Sequence, residues 1–385
     1  MTSGRIEFCN LNASGSKALI EETHMIPFLN FSNRLVRVVV ICAFCLGVWS
    51  SHASAQAPGI RFGEVVPRDV REIYDRGLQY LVSSQNESGD WKNGGEQGPG
   101  VTGLCLMVFL ASGEDPNFGL YSNNVRRAIR SMITGQDAAT GFYGGQGNGH
   151  SSMYNHGFAM LAMAEAYGAV DDRNLWTGNE SNRRTIGQSL EIAVRAAVTS
   201  QKKNSFGGWR YSPDANDADT SVSGAVLVGL LAARNAGIEV PDEVIDKSIN
   251  YYTKMTSPSG QVGYSGGFGG FDESIPRISI AALVYAVARR KDLPQFKATV
   301  GYLTQRLENN SQQHYAEYAR YYQAQALFQG DVEAWEKWNK LLVRQLKQSQ
   351  AADGSIQGQF GAAIGTSMSC LALALNYRFL PIYER

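Results

Sequence analysis

The chain has 385 residues, 35 basic and 35 acidic, and 44% of its residues are apolar. Balanced charge over this length excludes a nucleic-acid surface built on excess positive charge. Five cysteines, three of them (Cys9, Cys42, Cys45) close to the N-terminus, exclude a disulfide-stapled scaffold and leave apolar burial to hold the fold.

Arg34 and Arg37 precede the apolar run 38–48, and Ala53-Ser54-Ala55 follows it. A basic segment, an apolar core and a small-x-small site predict a signal peptide over 1–55, with Met25 an alternative start and an exported mature protein beginning at Gln56. The apolar run is short for the roughly 20 residues of a membrane span, so an uncleaved anchor is the second reading. Cleavage would leave two cysteines, Cys105 and Cys370. Residues 56–70, with Pro58 and Pro67, read as a tether, and residues 71–385 as the folded body.

From residue 76 onward the chain repeats itself. Arg76-Gly77-Leu78-Gln79-Tyr80-Leu81 leads through Gln85 to Gly89-Asp90-Trp91. The phrase returns as Gln136…Gly141-Phe142-Tyr143 and Gln201…Gly207-Gly208-Trp209, fades to Thr256…Gly260-Gln261-Val262, and returns as Gln350…Gly354-Ser355-Ile356. A period of about 50 residues marks a repeat architecture.

Each repeat predicts two helices. In the first, Val125, Ile129, Met132 and Ile133 share a face while Arg126, Arg127 and Arg130 take the other; Val244, Ile245, Ile249 and Tyr252 do the same later. The second is apolar all round, as in 101–110, 158–167, 222–233, 278–288 and 366–375, and must be buried all round. Stretch 315–327, crowded with Tyr315, Tyr318, Tyr321 and Tyr322, is the fifth of six, although the turn before it has lost the Gly-aromatic signature. An open solenoid needs polar end caps. The last inner stretch is as apolar as the middle ones, which predicts that the repeats close into a ring. Closure would bring Cys105 and Cys370 near each other.

Residues 76–91 resemble the QW motif of squalene–hopene and oxidosqualene cyclases, and the weaker copies resemble the wider prenyltransferase and squalene-cyclase repeat superfamily. The resemblance covers roughly residues 70–380 and implies an all-α fold, an α/α toroid of about six hairpins with inner and outer helix rings. The motif has a structural rationale: Gln can satisfy orphan backbone groups at a helix end, Gly permits positive φ, and the aromatic ring fills the junction. It therefore speaks for fold more than for chemistry.

In a ring of hairpins, side chains at the starts of inner helices line the mouth. Tyr154, His156, Asp214, Arg277, His314, Tyr315, Glu317 and Tyr318 are the candidates to line a ligand cavity. Asp217 and Asp219 are the candidate acids, because neighbouring carboxylates raise one another's pKa. The resemblance implies a D-x-D-D-T motif whose central Asp protonates an alkene. Here Asn216-Asp217-Ala218-Asp219-Thr220 stands in its place, and Ala218 occupies the donor's position. Capping of the following apolar helix is the plainer role for Asp219 or Asp217. His156 before an apolar helix reads more readily as a buried structural histidine than as a catalyst.

No zinc set of the protein-prenyltransferase type is present, since Asp217-Ala218-Asp219 lacks its cysteine. Asn93-Gly94-Gly95-Glu96-Gln97 has Gly94 where a macroglobulin-type thioester needs cysteine. The glycine-rich stretches 141–149 and 263–270 lack the strand and Lys-Ser/Thr of a phosphate loop. Neither a cofactor nor a metal is expected.

Three functions are consistent with these features. The first is an exported toroid that holds a small apolar ligand or a protein partner in its central cavity without cyclase activity, a peripheral membrane contact being compatible with it. The second is an active cyclase, or another lyase or transferase, on an isoprenoid, with Asp217 or Asp219 as the acid. The third is an exported enzyme acting on polysaccharide, for which paired carboxylates would matter.

Overall fold

A computed structural model describes residues 66–92, 97–144, 152–173, 175–176, 183–265, 273–308 and 315–383. The expected leader, residues 93–96 and His314 lie outside the described residues. The structure is all-helical: among the described residues there are twelve α-helices and no β-strand longer than an isolated bridge.

The helices are α1 (Arg68–Ser84), α2 (Pro99–Leu110), α3 (Ser122–Gly135), α4 (Ser152–Ala166), α5 (Ile186–Gln201) and α6 (Thr220–Asn235), followed by α7 (Asp242–Met255), α8 (Ile275–Val287), α9 (Pro294–Thr304), α10 (Ala316–Gly330), α11 (Val332–Ser349) and α12 (Ala362–Ala374). The first helix begins at Arg68, inside the expected tether. Odd-numbered helices bury one stripe; in α3 that stripe is Val125, Ala128, Ile129, Met132 and Ile133. Even-numbered helices are buried on nearly every side: all ten residues from Gly100 to Phe109 in α2 are buried. Pro at the first turn of α2, α8 and α9 suits positions with no intrahelical N–H partner.

The inner helices pack in sequence, α2 on α4, α4 on α6, α6 on α8, α8 on α10 and α10 on α12, and α12 returns to α2. The ring is closed, so the fold is the α/α toroid that the repeats predict. Outer helix α11 also meets α1. At that seam Lys347 pairs with Asp69 at 2.7 Å, and Arg76 donates to the Ala351 carbonyl at 2.5 Å.

The repeated turn is a clamp between successive outer helices. Gln136 Nε2 donates to the Gly141 carbonyl of its own turn at 2.8 Å and to Ser189 O in the next outer helix at 2.9 Å. Gln85 bridges Gly89 O and Asn124 O, and Gln201 bridges Gly207 O and Val244 O. Gln350 bridges Gly354 O and Ile73 O, so the last repeat clamps onto the first with the same device. The turn glycines have positive φ, +87° at Gly89 and Gly354. A Cβ on Gly354 would strike the Arg76 carbonyl of α1. Glycine is required here both for its backbone angle and for the close approach.

The turn aromatics fill the junctions. Trp91 and Trp209 are each 1% exposed and donate through Nε1 to Leu81 O and Ala197 O at 2.9 Å, carbonyls in the last turns of α1 and α5. Cys105 on α2 and Cys370 on α12 face the seam as free, buried thiols. Burial pushes both thiols up, Cys370 to about 12, and Cys370 adds to the shift of Cys105, which places the two close together.

Candidate functional site

Inner helices all start at one end of the ring, and a second tie recurs there. In three repeats the backbone N–H of the large apolar residue in the turn donates to a polar side chain early in the next inner helix: Tyr143 to His156 Nδ1 at 3.1 Å, Trp209 to Ser223 Oγ at 2.8 Å, Ile356 to Thr366 Oγ1 at 2.8 Å. His156 also engages Ala193 O through Nε2 at 3.1 Å. Burial lowers its pKa to about 4, and the backbone bond only partly offsets this. With Nδ1 accepting, the neutral ring carries its proton on Nε2. His156 is therefore a structural member of the repeat, not a free base at the mouth.

Asp219 is the N-cap of α6. Its Oδ1 accepts from Val222 N at 2.8 Å, and its own backbone N–H donates to Trp209 O at 3.0 Å. The residue is 0% exposed, and its Oδ2 is sealed from solvent with no hydrogen-bond partner. Desolvation raises its pKa to about 6 against the opposing effects of the cap bond and Arg210. Four tyrosines, Tyr154, Tyr211, Tyr251 and Tyr252, lie within electrostatic reach of it, and each phenol is raised by burial first and by Asp219 in addition.

Asp217 is separated from it in role. Its carboxylate pairs with Arg210 at 2.5 Å, and its side chain is 40% exposed. Asp214 lies further out, exposed and paired with Lys203. The guanidinium of Arg210 stands over the rings of Tyr211 (5.4 Å) and Tyr264 (5.7 Å), and that of buried Arg277 stands over Tyr264 at 5.8 Å. Tyr211 and Tyr264 share a short hydroxyl–hydroxyl bond.

Tyr154 and Tyr318 are brought together across the ring. Helices α4 and α10 are opposite members of the inner ring, yet Tyr154 meets Tyr318 edge-on with centroids 6.2 Å apart, and Phe158 meets Tyr321 at 6.2 Å one turn deeper. Tyr322 joins Tyr318 at 4.8 Å, and the Tyr318 hydroxyl donates to Ser221 O in α6 at 3.3 Å. At this depth aromatic side chains meet through the middle of the ring. Glu317 faces elsewhere: it is buried and accepts from Phe360 N at 3.1 Å, tying α10 to the turn before α12. Tyr315 is half-exposed, has φ +66° as the residue before α10, and stacks on Phe360.

Sequence reasoning missed Arg210, Tyr211, Tyr251 and Tyr264. A signal was present for two of them: Tyr211 and Tyr264 both stand two residues after the apolar member of their turns, Trp209 and Val262. Among the described residues no group of three or more His, Cys, Asp or Glu side chains is arranged to hold a metal ion, and no helix is long and apolar enough to cross a membrane.

No family model and no curated protein matches this sequence. Solved structures do match its fold. A variant of the type II terpene cyclase MstE from Scytonema, in complex with geranylgeranyl dihydroxybenzoate, is 14% identical with a TM-score of 0.54, over 81% of this chain and 98% of that one. An inactive variant of an alpha-1,6-mannanase from Salegentibacter in complex with alpha-1,6-mannotetrose is 9% identical with a TM-score of 0.55, over 80% and 99%. An alpha-amylase from Clostridium perfringens is 10% identical with a TM-score of 0.55, over 80% and 99%. At these identities the likeness establishes the α/α toroid and leaves the chemistry to the site itself.

Proposed function

We propose that the protein is an exported toroid that binds a ligand at the mouth of its ring and does not cyclise terpenes. The observation that carries this reading is the aromatic contact between opposite inner helices, Tyr154 with Tyr318 and Phe158 with Tyr321. A cyclase must enclose a long polyene in its lumen, and here aromatic rings from opposite helices meet in that position. Above them Tyr264, 38% exposed, with Tyr211, Arg210 and Asp217, offers stacking faces and hydrogen-bonding groups to a small molecule. Ala218, buried at the position of the cyclase proton donor, supports the same reading.

The second reading, a proton-initiated isoprenoid enzyme, is favoured by one observation, the buried Asp219 carboxyl with its raised pKa and an unpartnered oxygen. The polysaccharide reading has less support, because it needs two free carboxylates across a bound sugar and Asp217 and Asp214 are each tied to a cation. Native mass spectrometry of the mature protein, followed by extraction of co-purifying molecules, tests the proposal: a bound small molecule is expected, and Tyr264→Ala with Arg210→Ala should lose it. Incubation with squalene or geranylgeranyl substrates, read by gas chromatography, is the counter-test. Polycyclic products abolished by Asp219→Asn would establish the enzyme instead.

A further inference from the structure

Two large apolar side chains stand in water at the end of the ring opposite the mouth. Phe118 is 89% exposed and Leu120 is 77% exposed, both on the loop that joins α2 to α3. The loop backbone is firmly held. Asp115 Oδ1 accepts from Asn117 N at 2.7 Å and from Phe118 N at 3.0 Å, and Gly119 N closes the turn on Asp115 O at 2.8 Å. Arg126 Nη1 donates to Asn117 O at 3.0 Å. Asn117 also ties the loop to the one that follows α4: its Nδ2 donates to Ala169 O at 3.0 Å, and its Oδ1 accepts from Asp171 N at 2.6 Å. These bonds fix a turn whose apolar tips point away from the core. An ordered, protruding apolar pair on a chain with so large a core marks a contact surface.

The N-terminal chain leaves the ring from this same end. The Tyr74 hydroxyl, in α1, donates to Val108 O near the end of α2 at 2.7 Å, and its ring meets Tyr377, beyond α12, at 4.9 Å. The first turn of α1 therefore lies where the inner helices finish. The residues before Val66 carry the apolar run 38–48, with Arg34 and Arg37 ahead of it. Retained as an anchor, that run puts a bilayer on this side of the ring. Residues 49–65 are then the only link, and even fully extended they reach about 60 Å. Shape also favours lipid over protein. A stable protein interface buries roughly 800 Å² on each partner, far more than two side chains on one tight turn present. A bilayer needs no matching shape and takes up isolated apolar tips at its headgroup–acyl boundary.

We propose that Phe118 and Leu120 form a lipid-contact knob that dips into the bilayer surface and holds the ring with its mouth turned away from the membrane. The proposal rests on the anchored form of the leader and is independent of what the mouth binds. Two side chains hold a bilayer weakly by themselves. On a protein already tethered to the membrane the second contact is intramolecular, and its high effective concentration makes it decide orientation. Glu114 and Asp115 precede the knob, so anionic headgroups are not what it seeks.

The test uses residues 56–385, which include the whole compact unit 60–385, with an N-terminal hexahistidine tag in place of the anchor. The protein is captured on phosphatidylcholine vesicles containing a nickel-chelating lipid, so cleavage of the leader in the cell has no bearing on the result. Glu114→Cys carries an environment-sensitive fluorophore beside the knob, and Ser205→Cys carries it at the mouth end; Cys105 and Cys370 are buried and stay unlabelled. Capture should shift the Glu114→Cys label to the blue, and acyl-chain spin-labelled lipid should quench it roughly twofold or more beyond the Ser205→Cys label. Phe118→Ser with Leu120→Ser should abolish both effects and leave the helical spectrum unchanged, because both side chains lie outside the core. Added phosphatidylglycerol should change nothing. Absence of quenching, equal quenching at the two labels, persistence in the double variant, or a need for anionic lipid would each overturn the proposal. A blue shift that grows with protein concentration in the absence of vesicles would overturn it too, and would assign the knob to a second copy of the chain.

Discussion

Asp219 holds its place at a cost that pH can expose. Its carboxyl is 0% exposed with one oxygen unpartnered, and its pKa rises from 3.8 in the unfolded chain to about 6 in the fold. The folded state therefore holds this proton more tightly than the unfolded state. Stability from this group is fully present below pH ~4 and is lost as pH rises through about 6. A rise of that size separates the protonated and ionised forms by about 3 kcal/mol. Asp219→Asn keeps an oxygen for the Val222 N–H and removes the charge. The variant's stability should not respond to this titration, so the difference between wild type and variant isolates it from all other carboxyls. Urea unfolding of both proteins from pH 4 to pH 8 should show the wild type losing about 2.4 kcal/mol relative to the variant, nearly all of it between pH 4 and pH 6.5. In a thermal scan, with an unfolding entropy of ~2.1 cal/mol/K per residue over residues 60–385, the relative shift is roughly 4 °C. Parallel stability curves for the two proteins would refute the desolvation argument and mean that Asp219 is solvated at the mouth.

Three further outcomes follow from the ring. Gly354→Ala should destabilise by about 2–4 kcal/mol, from the positive φ and the collision with Arg76 O, and hydrogen exchange should show the loss of protection concentrated in α1 and α11. Trp91→Ala should cost ~3–5 kcal/mol in chemical denaturation, because it empties a buried junction and orphans Leu81 O; an unchanged midpoint would contradict the filling role of the turn aromatic. Cys105 and Cys370 should react with a thiol reagent at pH 8 only on global unfolding, since burial holds both thiols protonated; rapid modification of the native protein would show that the α2–α12 seam opens.

The division between what was readable and what was not has a physical basis. The repeat period, the two helix classes and the closed ring were legible, because each follows from local chemistry. Gln and Gly at fixed spacing serve backbone groups, and a helix apolar on all sides must be buried on all sides. The proximity of Cys105 and Cys370 followed from closure alone. The site was legible only as a set of positions. Asp217, Asp219, His156 and Glu317 all stand near the starts of inner helices, and sequence could not rank them. Packing assigned Asp217 to a half-exposed pair with Arg210, sealed Asp219 beneath tyrosines, tied His156 to Tyr143 and Ala193, and turned Glu317 toward Phe360. The meeting of Tyr154 with Tyr318, 164 positions apart, belongs to neither segment by itself. Local sequence determined the helices and their joints because those interactions are made within one repeat or with the next. Only the closed ring decided what meets across its middle, because that depends on the radius at which six apolar helices come to close packing.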